Sequence, residues 1–461
     1  MKRLRLMGTL AGTVFLAACV VGPDYRRPAT QIPATFRDAP PTTPQEAASF
    51  ADLPWWQIFR DPVLQNLIRT ALERNYDVRI ASEQIAAARA QVVITHANQL
   101  PNVSGDGTYT GGKSVAAGYT TDTHLLVLTA DVNYQIDLFG GLRRATEASR
   151  AQLLATEEAR RTVIMTLVSD VATDYYQLLS LDLQLQIAKQ TVKSQTESVR
   201  LTKLRVDHGT ATQVDILQAQ QVLDSANEQI PELERQVGRY EDAISLLLGN
   251  YPEATPRGLV LTDQYLAPEV PPGLTSALLE RRPDIRQSEK MLMFYNAEIG
   301  VAKAALFPQL TLSGSFGPSA VFTSLMNGHP AIWTWGSSLT QSVFDAGALR
   351  AKVKVAESDQ RQALLSYSQT IQKAFGEVAD TLIDYRQYHE LRLREERSVA
   401  TLKESVRLAN MRYRGGITTY LEVLDSQRSL LSEQLTLAQT RGNEYQSLVK
   451  LYKALGGGWQ Q

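Results

Sequence analysis

Leu126-Val127-Leu128-Thr129-Ala130-Asp131-Val132-Asn133-Tyr134-Gln135-Ile136-Asp137-Leu138 alternates in character along thirteen residues. Every even position is apolar, and every odd position except Val127 is polar. Side chains alternate between two faces along a strand, so the pattern predicts a strand with one apolar and one polar face. Upstream, Val103, Gly105, Gly107 and Tyr109 alternate with Ser104, Asp106 and Thr108. Far downstream, Leu310, Leu312, Gly314 and Phe316 alternate with Thr311, Ser313 and Ser315. Trp333, Trp335, Leu339 and Val343 do the same with Thr334, Thr340 and Ser342. Four strands in two hairpins are expected.

The second hairpin belongs to a copy of the first half. Pro101 and Pro308 are 207 positions apart. The same offset pairs Asp77 with Asp284, Gly140 with Gly347, and Leu142-Arg143 with Leu349-Arg350. It also pairs Gly209 with Gly416, Thr212 with Thr419, Gln220 with Gln427, and Leu248-Gly249 with Leu455-Gly456. A constant offset without slippage marks an internal duplication. The repeats are read as 61–250 (strands about 101–138, helical hairpin about 142–249) and 273–457 (strands about 308–345, helical hairpin about 348–456). Residues 251–272, rich in proline and acids, read as a linker.

Helices flank each hairpin. Leu64–Asn98 contains no Gly or Pro, its counterpart runs from about Leu274 to Leu306, and Pro101 and Pro308 stop them. From Leu142 to about Val206 there is again no Gly or Pro, and Leu349 to about Tyr413 has only Gly376. A helix of that length reaches roughly 95 Å. Ile164, Val168, Val171, Tyr175 and Leu178 step by 4, 3, 4 and 3, as do Ile371, Phe375, Val378, Leu382 and Tyr385. That 3.5-residue period is a coiled-coil seam. Gly209 and Gly415-Gly416 then reverse the chain, and second long helices end at Gly249 and Gly456.

The N-terminus has Lys2, Arg3 and Arg5, an apolar run from Leu6 to Leu16, and then Ala17-Ala18-Cys19. That order predicts a signal peptide over 1–18 and a periplasmic segment over 19–60. Leu16-Ala17-Ala18-Cys19 resembles a bacterial lipobox, which implies that Cys19 is the first mature residue and carries a covalent lipid. Val20, not an acid, follows it, which by the same resemblance implies sorting to the outer membrane. Cys19 is the one cysteine, so no thiol is left for disulfides, metal or nucleophilic chemistry. Net charge is −1, with no basic footprint for nucleic acid. No run of eighteen apolar residues follows Cys19. His96, His124, His208, His329 and His389 have no metal-ligand spacing, and no phosphate loop or nucleophile elbow occurs. No enzyme activity, metal or further cofactor is expected.

Strands with one apolar and one polar face have two possible homes. One is a sheet packed on helices in water. The other is a closed barrel in lipid, because an open sheet there would leave edge N–H and C=O groups unpaired. Closure then takes further copies of the chain, and strand counts rise in fours. Eight strands barely hold side chains, whereas twelve leave a polar lumen. Trp333, Trp335, Tyr109, Tyr134 and Phe316 near strand ends favour a lipid–water girdle.

Several motifs carry a family resemblance. Gly22-Pro23-Asp24-Tyr25 follows the lipobox, and Trp55-Trp56 precedes Phe59 and Asp61. Two more are Asp137-Leu138-Phe139-Gly140 and Glu280-Arg281-Arg282-Pro283-Asp284-Ile285. Tyr413-Arg414-Gly415-Gly416 leads to Leu424-Asp425-Ser426-Gln427-Arg428. Together these resemble the TolC-like outer membrane factor family, in its lipoprotein branch, across the mature chain. The resemblance implies a mainly α fold with a transmembrane β-barrel. Three chains would form twelve strands, continued by a periplasmic coiled-coil α-barrel. It implies a homotrimer that passively exports small molecules, coupled through a periplasmic adaptor (membrane fusion) protein to an inner-membrane RND-type transporter. Export of proteins through the same fold, and a non-conducting envelope scaffold, are the rival readings; a scaffold needs no lipid-facing strands.

The resemblance also implies a gate at the helix turns. Glu422 and Asp425 would close the inner mouth as acid rings, and Leu421 would form an apolar constriction. Asp215 and Tyr413 would link neighbouring helices, with Arg428 in the same network. Thr418 stands where some members carry an arginine. Glu422 and Asp425, three apart, share a helical face about 4.5 Å apart in rise. A second reading is local: Thr419-x-x-Glu422 is a capping box and Thr212-x-x-Asp215 nearly one. Both readings stand for Glu422 and Asp215, whereas Asp425 lies too far into its helix to cap it. The turns with Gly209 and Thr210, and with Gly415, Gly416 and Ile417, are the expected adaptor-docking tips.

Overall fold

A computed structural model describes residues 20–30, 32–37, 50–116, 119–265, 275–321 and 331–459. Cys19 and the signal segment lie outside the described residues. Single turns at Phe50–Asp52, Trp55–Ile58 and Leu261–Asp263 aside, the elements in chain order are α1 (Pro62–Arg74), α2 (Tyr76–Ala97), β1 (Asn102–Ala116) and β2 (Tyr119–Ile136). Then come α3 (Gly141–Asp207), α4 (Gln213–Leu247), α5 (Thr275–Arg281) and α6 (Pro283–Ala304). The last are β3 (Gln309–Val321), β4 (Ala331–Thr340), α7 (Ala348–Arg414) and α8 (Tyr420–Ala454). The duplication is plain in these bounds: α3 and α7 have 67 residues each, and α4 and α8 have 35 each. No helix among the described residues is long and apolar enough to cross a membrane.

The chain divides into two compact units. The first takes its described residues from 1–30, 83–158 and 286–369 and contains the strands. They form one antiparallel sheet in the order β1-β2-β3-β4. The register puts like with like. Gly105 faces Ala130, Ala130 faces Phe316, and Phe316 faces Trp333. One step on, Ser104 faces Asp131, Asp131 faces Ser315, and Ser315 faces Thr334. A slip of one residue would mix these rows, so the alternation itself fixes the pairing. The apolar row is uncovered: Val103, Phe316, Trp333, Trp335 and Leu339 are all more than half exposed. The polar face lines a hollow of about 470 Å³ with Ser104, Asp106, Asp131, Asn133, Ser313 and Ser315 among its walls. One expectation is corrected here. β4 ends at Thr340, so Val343 is not on a strand. Asp345 lies just beyond, and its carboxylate accepts from the Gly347 and Leu349 amides to start α7. Asp137 does the same for α3, accepting from the Leu142 and Arg143 amides.

The second unit takes its described residues from 31–82, 159–285 and 370–461. The predicted seam is its core. Ile164, Val168, Val171, Tyr175 and Leu178 are buried, as are Ile371, Val378 and Leu382. The helical run beginning at Leu64 is broken at Asn75, whose ψ of 132° leaves the helix. Its side chain then restarts α2 by accepting from the Asp77 and Val78 amides. The stretch between the repeats has structure of its own. Asp61 is fully buried, and its Oδ2 accepts from Tyr175 Oη at 2.9 Å, Gln264 Nε2 at 2.7 Å and the Leu259 amide at 3.0 Å. Asp61 Oδ1 meanwhile caps α1 through the Val63 amide. One carboxylate thus ties the first helix, the coiled-coil seam and residues 258–264 together. These four hydrogen bonds offset part of the desolvation of the buried carboxylate.

Candidate gate and helix tips

Both hairpins reverse by the same device. Gly209 and Gly416 take φ of +73° and +70°, a conformation that a side chain would strain. The Thr210 amide donates to Arg205 O and the Gly209 amide to Val206 O. The Ile417 amide donates to Arg412 O and the Gly416 amide to Tyr413 O. These are Schellman ends, which satisfy carbonyls that a helix terminus leaves free. Thr210, Gly415 and Gly416 are exposed, and Ile417 is 73% exposed. A large apolar side chain is therefore offered to solvent at the second tip.

The helices that leave the turns start differently. At α4 the capping box is complete: Asp215 Nα–H donates to Thr212 Oγ1, and Asp215 Oδ2 accepts from the Thr212 amide at 2.8 Å. At α8 the expected box is not made. Thr419 makes no capping bond. Glu422 instead accepts from the Thr418 hydroxyl and pairs with Arg412 at 3.5 Å. The box motif fails here because Thr418, one residue earlier, competes for the same carboxylate, and Arg412 from the preceding helix draws it outward.

Beneath the second tip, Tyr420, Val423 and Leu424 are buried against Ala219, Val222 and Ala409. Leu421, Asp425 and Arg428 are exposed, spaced four and three apart, on a different face of α8. So the first turns of α8 bury one face and present another. The exposed face holds three of the six residues singled out for the gate.

Tyr413 and Asp215 are not bonded to each other within the chain. The carboxylate of Asp215 is committed to its own cap. The Tyr413 ring lies 5.0 Å from that of Tyr420, and the Arg205 guanidinium stands 4.8 Å over it. Its hydroxyl is buried and meets no partner among the described residues. Tyr420 donates or accepts at Ser198 Oγ, 3.2 Å away, and burial pushes its hydroxyl above the usual tyrosine range. Arg205, Arg412 and Tyr420 were not singled out from the sequence, and Thr418 only as a departure from the family pattern, not as a partner of Glu422. Tyr420 carried a signal, being the first residue of the helix next to Tyr413 across a glycine turn. The partners of Arg205 and Arg412 depend on side-chain direction, which spacing does not give.

The family model described as outer membrane efflux protein matches residues 67–250 and 274–457. The chain belongs to the outer membrane efflux protein family. The cation efflux system protein CusC of Escherichia coli O157:H7 is 34% identical over 447 residues, covering 97% of each chain. The probable outer membrane lipoprotein SilC of Salmonella typhimurium is 33% identical over the full length of both. The solved structure of the outer-membrane channel OprN superposes with a TM-score of 0.88 at 33% identity, covering 96% of this chain and all of that one. As an outer membrane efflux protein, the chain is an efflux channel of the outer membrane. Its fold, mostly helical with one small antiparallel sheet, is that of solved outer-membrane channels.

Proposed function

We propose that the channel is a homotrimer whose twelve strands close a barrel, and that it passes small solutes outward from an inner-membrane RND-type transporter and a periplasmic adaptor. The observation that carries this is the sheet: its four strands leave β1 and β4 as open edges beside an uncovered apolar face. Such a sheet is stable in lipid only when further copies pair those edges. Twelve strands are the smallest multiple of four that leaves a lumen for the polar row. Adaptor contact is assigned to the tips at Gly209 and Thr210 and at Gly415, Gly416 and Ile417. Cys19 is assigned the covalent lipid.

The gate is assigned to the exposed face of α8. Three copies of Asp425 about an axis would repel one another and attract cations. This accords with the name of CusC as a cation efflux system protein. Glu422, tied to Thr418 and Arg412, would shape the ring rather than face it squarely. Leu421 would narrow the same level. Arg428 would sit one turn deeper, while Asp215 and Tyr413 brace the helix starts behind them. Planar-bilayer recording of Asp425→Ala tests the assignment. Cation preference should fall and conductance rise, with no helix cap lost. Unchanged selectivity and conductance would move the constriction elsewhere.

A further inference from the structure

The segment Val20–Arg27 is docked along one groove of the strand-bearing unit, and the groove is written once although the unit is built from a repeat. The Val21 amide donates to Phe139 O at 3.1 Å. Val20 sits against Gly140, where an added Cβ would lie 2.9 Å from Val20 Cα. Gly22, at φ +111°, approaches Gly300 of α6 so closely that a Cβ on it would come within 2.6 Å of Gly300 Cα. Asn296 Nδ2, one turn along α6, donates to Pro23 O at 2.9 Å. Tyr25 Oη donates to Glu289 at 3.1 Å, and Arg27 pairs with the same carboxylate at 3.2 Å. Over the crossing lies Arg144, whose side chain is 5% exposed. Its Nη2 donates to Asp24 at 2.7 Å and to Gly22 O at 3.4 Å, while Nη1 donates to Glu147 at 2.7 Å.

The equivalent positions of the other repeat keep the turn glycine but not the groove around it. At the 207-residue offset, Gly300 corresponds to Val93, Asn296 to Arg89, and Arg144 and Glu147 to Ala351 and Lys354. These four are exposed, and a Cβ on Gly347, the counterpart of Gly140, would meet open space. Two glycines in contact, a buried guanidinium and an amide aimed at a proline carbonyl are costly to maintain as mere surface. Their placement is informative. Phe139 and Phe307 stack at 4.5 Å directly after β2 and before β3, at the sheet end where β1 starts and β4 stops. Val20 is therefore held at the base of the sheet, one residue from Cys19.

We propose that Val20–Arg27 is a docked strap that fixes where the acylated residue enters the membrane, and that Arg144 is the positioning residue that clamps it. This rests on Cys19 carrying the lipid. A tether that ended anywhere on the molecule would anchor it equally well. A strap clamped at the sheet base instead delivers the acyl chains beside the strands that must insert. Clamping thereby couples anchoring to barrel assembly.

The test uses the full-length protein in outer-membrane vesicles, with palmitate labelling, heat-resistant oligomer on gels, and trypsin cleavage after Arg26 as readouts. Arg144→Leu should be labelled like the parent protein. It should be cut after Arg26 about tenfold faster and give less heat-resistant oligomer. Asp24→Ala should shift both readouts the same way by less. The Asp24 side chain is 89% exposed, so its loss cannot unfold the core. A disulfide between Pro23→Cys and Asn296→Cys, added to Arg144→Leu, should restore the oligomer. Parent-like cleavage and assembly in both variants would overturn the clamp, as would failure of the disulfide to rescue. If Cys19→Ser were labelled like the parent, the lipid assignment itself would fall, whatever the strap readouts.

Discussion

The middle of the first helical hairpin and the middle of the second occupy equivalent places in the repeat but are filled with opposite chemistry. In the first, Leu181, Ala188 and Leu233 pack with Leu185, Ile230, Val237 and Tyr240. In the second, the counterparts of Leu185 and Val237 are Arg392 and Glu444, with Arg392 Nε on Glu444 Oε2 at 2.6 Å. Glu444 is fully buried and also takes His389 Nδ1 at 2.7 Å. Ala188 and Leu233 are replaced by Glu395 and Thr440, and burial pushes the Glu395 carboxyl up. Even the ion pairs are mirrored in sign: Lys189–Glu234 at 2.8 Å becomes Glu396–Arg441 at 2.9 Å. The duplicated backbone is kept to the residue, while its filling has diverged. Apolar packing tolerates sliding; a hydrogen-bonded ionic core specifies one register. The hairpin with the ionic core is the one that carries Leu421, Glu422 and Asp425.

The largest effect should come from breaking that ionic core. Glu444→Gln leaves Arg392 and His389 facing a neutral amide, a loss of about 3 kcal/mol by the behaviour of buried pairs. Leu185→Ala at the matching place should cost about 2 kcal/mol at most, since Leu185 is only partly buried. Thermal denaturation in detergent should rank the two that way; the reverse order would remove the contrast.

A smaller effect is expected where the repeats differ in acids on the seam helix. In the first, Asp174 is pushed up to about 6 by burial and then by Asp170. In the second, the matching residues are Thr381 and Glu377, and Glu377 is paired with Arg282 at 2.7 Å. An acid whose folded value is raised stabilises the fold only while protonated. The contribution is full below the unfolded value near 4 and is lost as pH rises through about 6. Asp174→Asn should therefore raise the melting temperature at pH 7–8 and give no gain below pH 4. A gain that is independent of pH would contradict this assignment. Smallest of all is Lys189→Glu: both partners are about half exposed, so the change should be under about 1 kcal/mol. Arg441→Glu should cost more, because Glu396 also serves Arg392.

Much of the fold was legible in the sequence because it is periodic. Strand register follows from alternation, the seam from steps of 4 and 3, and the turns from Gly209 and Gly416, whose positive φ the structure displays. What was not legible depends on partners distant in sequence. Asp61 stands in the sequence only as part of a motif with Trp55-Trp56, and its partners Tyr175 and Gln264 lie far along the chain, while Asn75 breaks a run with no Gly or Pro. The ionic core of the second hairpin reads as solvated charge, since nothing local marks Glu444 as buried. At the tips the motif was legible but its use was not. Thr212-x-x-Asp215 closes as a box, and Thr419-x-x-Glu422 does not, because Thr418 and Arg412 take the carboxylate.

If the sheet is a barrel wall with lipid on one face and a lumen on the other, two neighbouring substitutions should differ sharply. Val132 and Asn133 are adjacent on β2 and point to opposite faces. Val132→Arg would put a cation into lipid at about 2–4 kcal/mol per chain, whereas Asn133→Arg would put it in the aqueous interior. The measurement is the fraction of heat-resistant oligomer in isolated outer membranes. Val132→Arg should largely abolish it, and Asn133→Arg should leave it near the parent level. The reverse ranking, or equal tolerance of both, would contradict it.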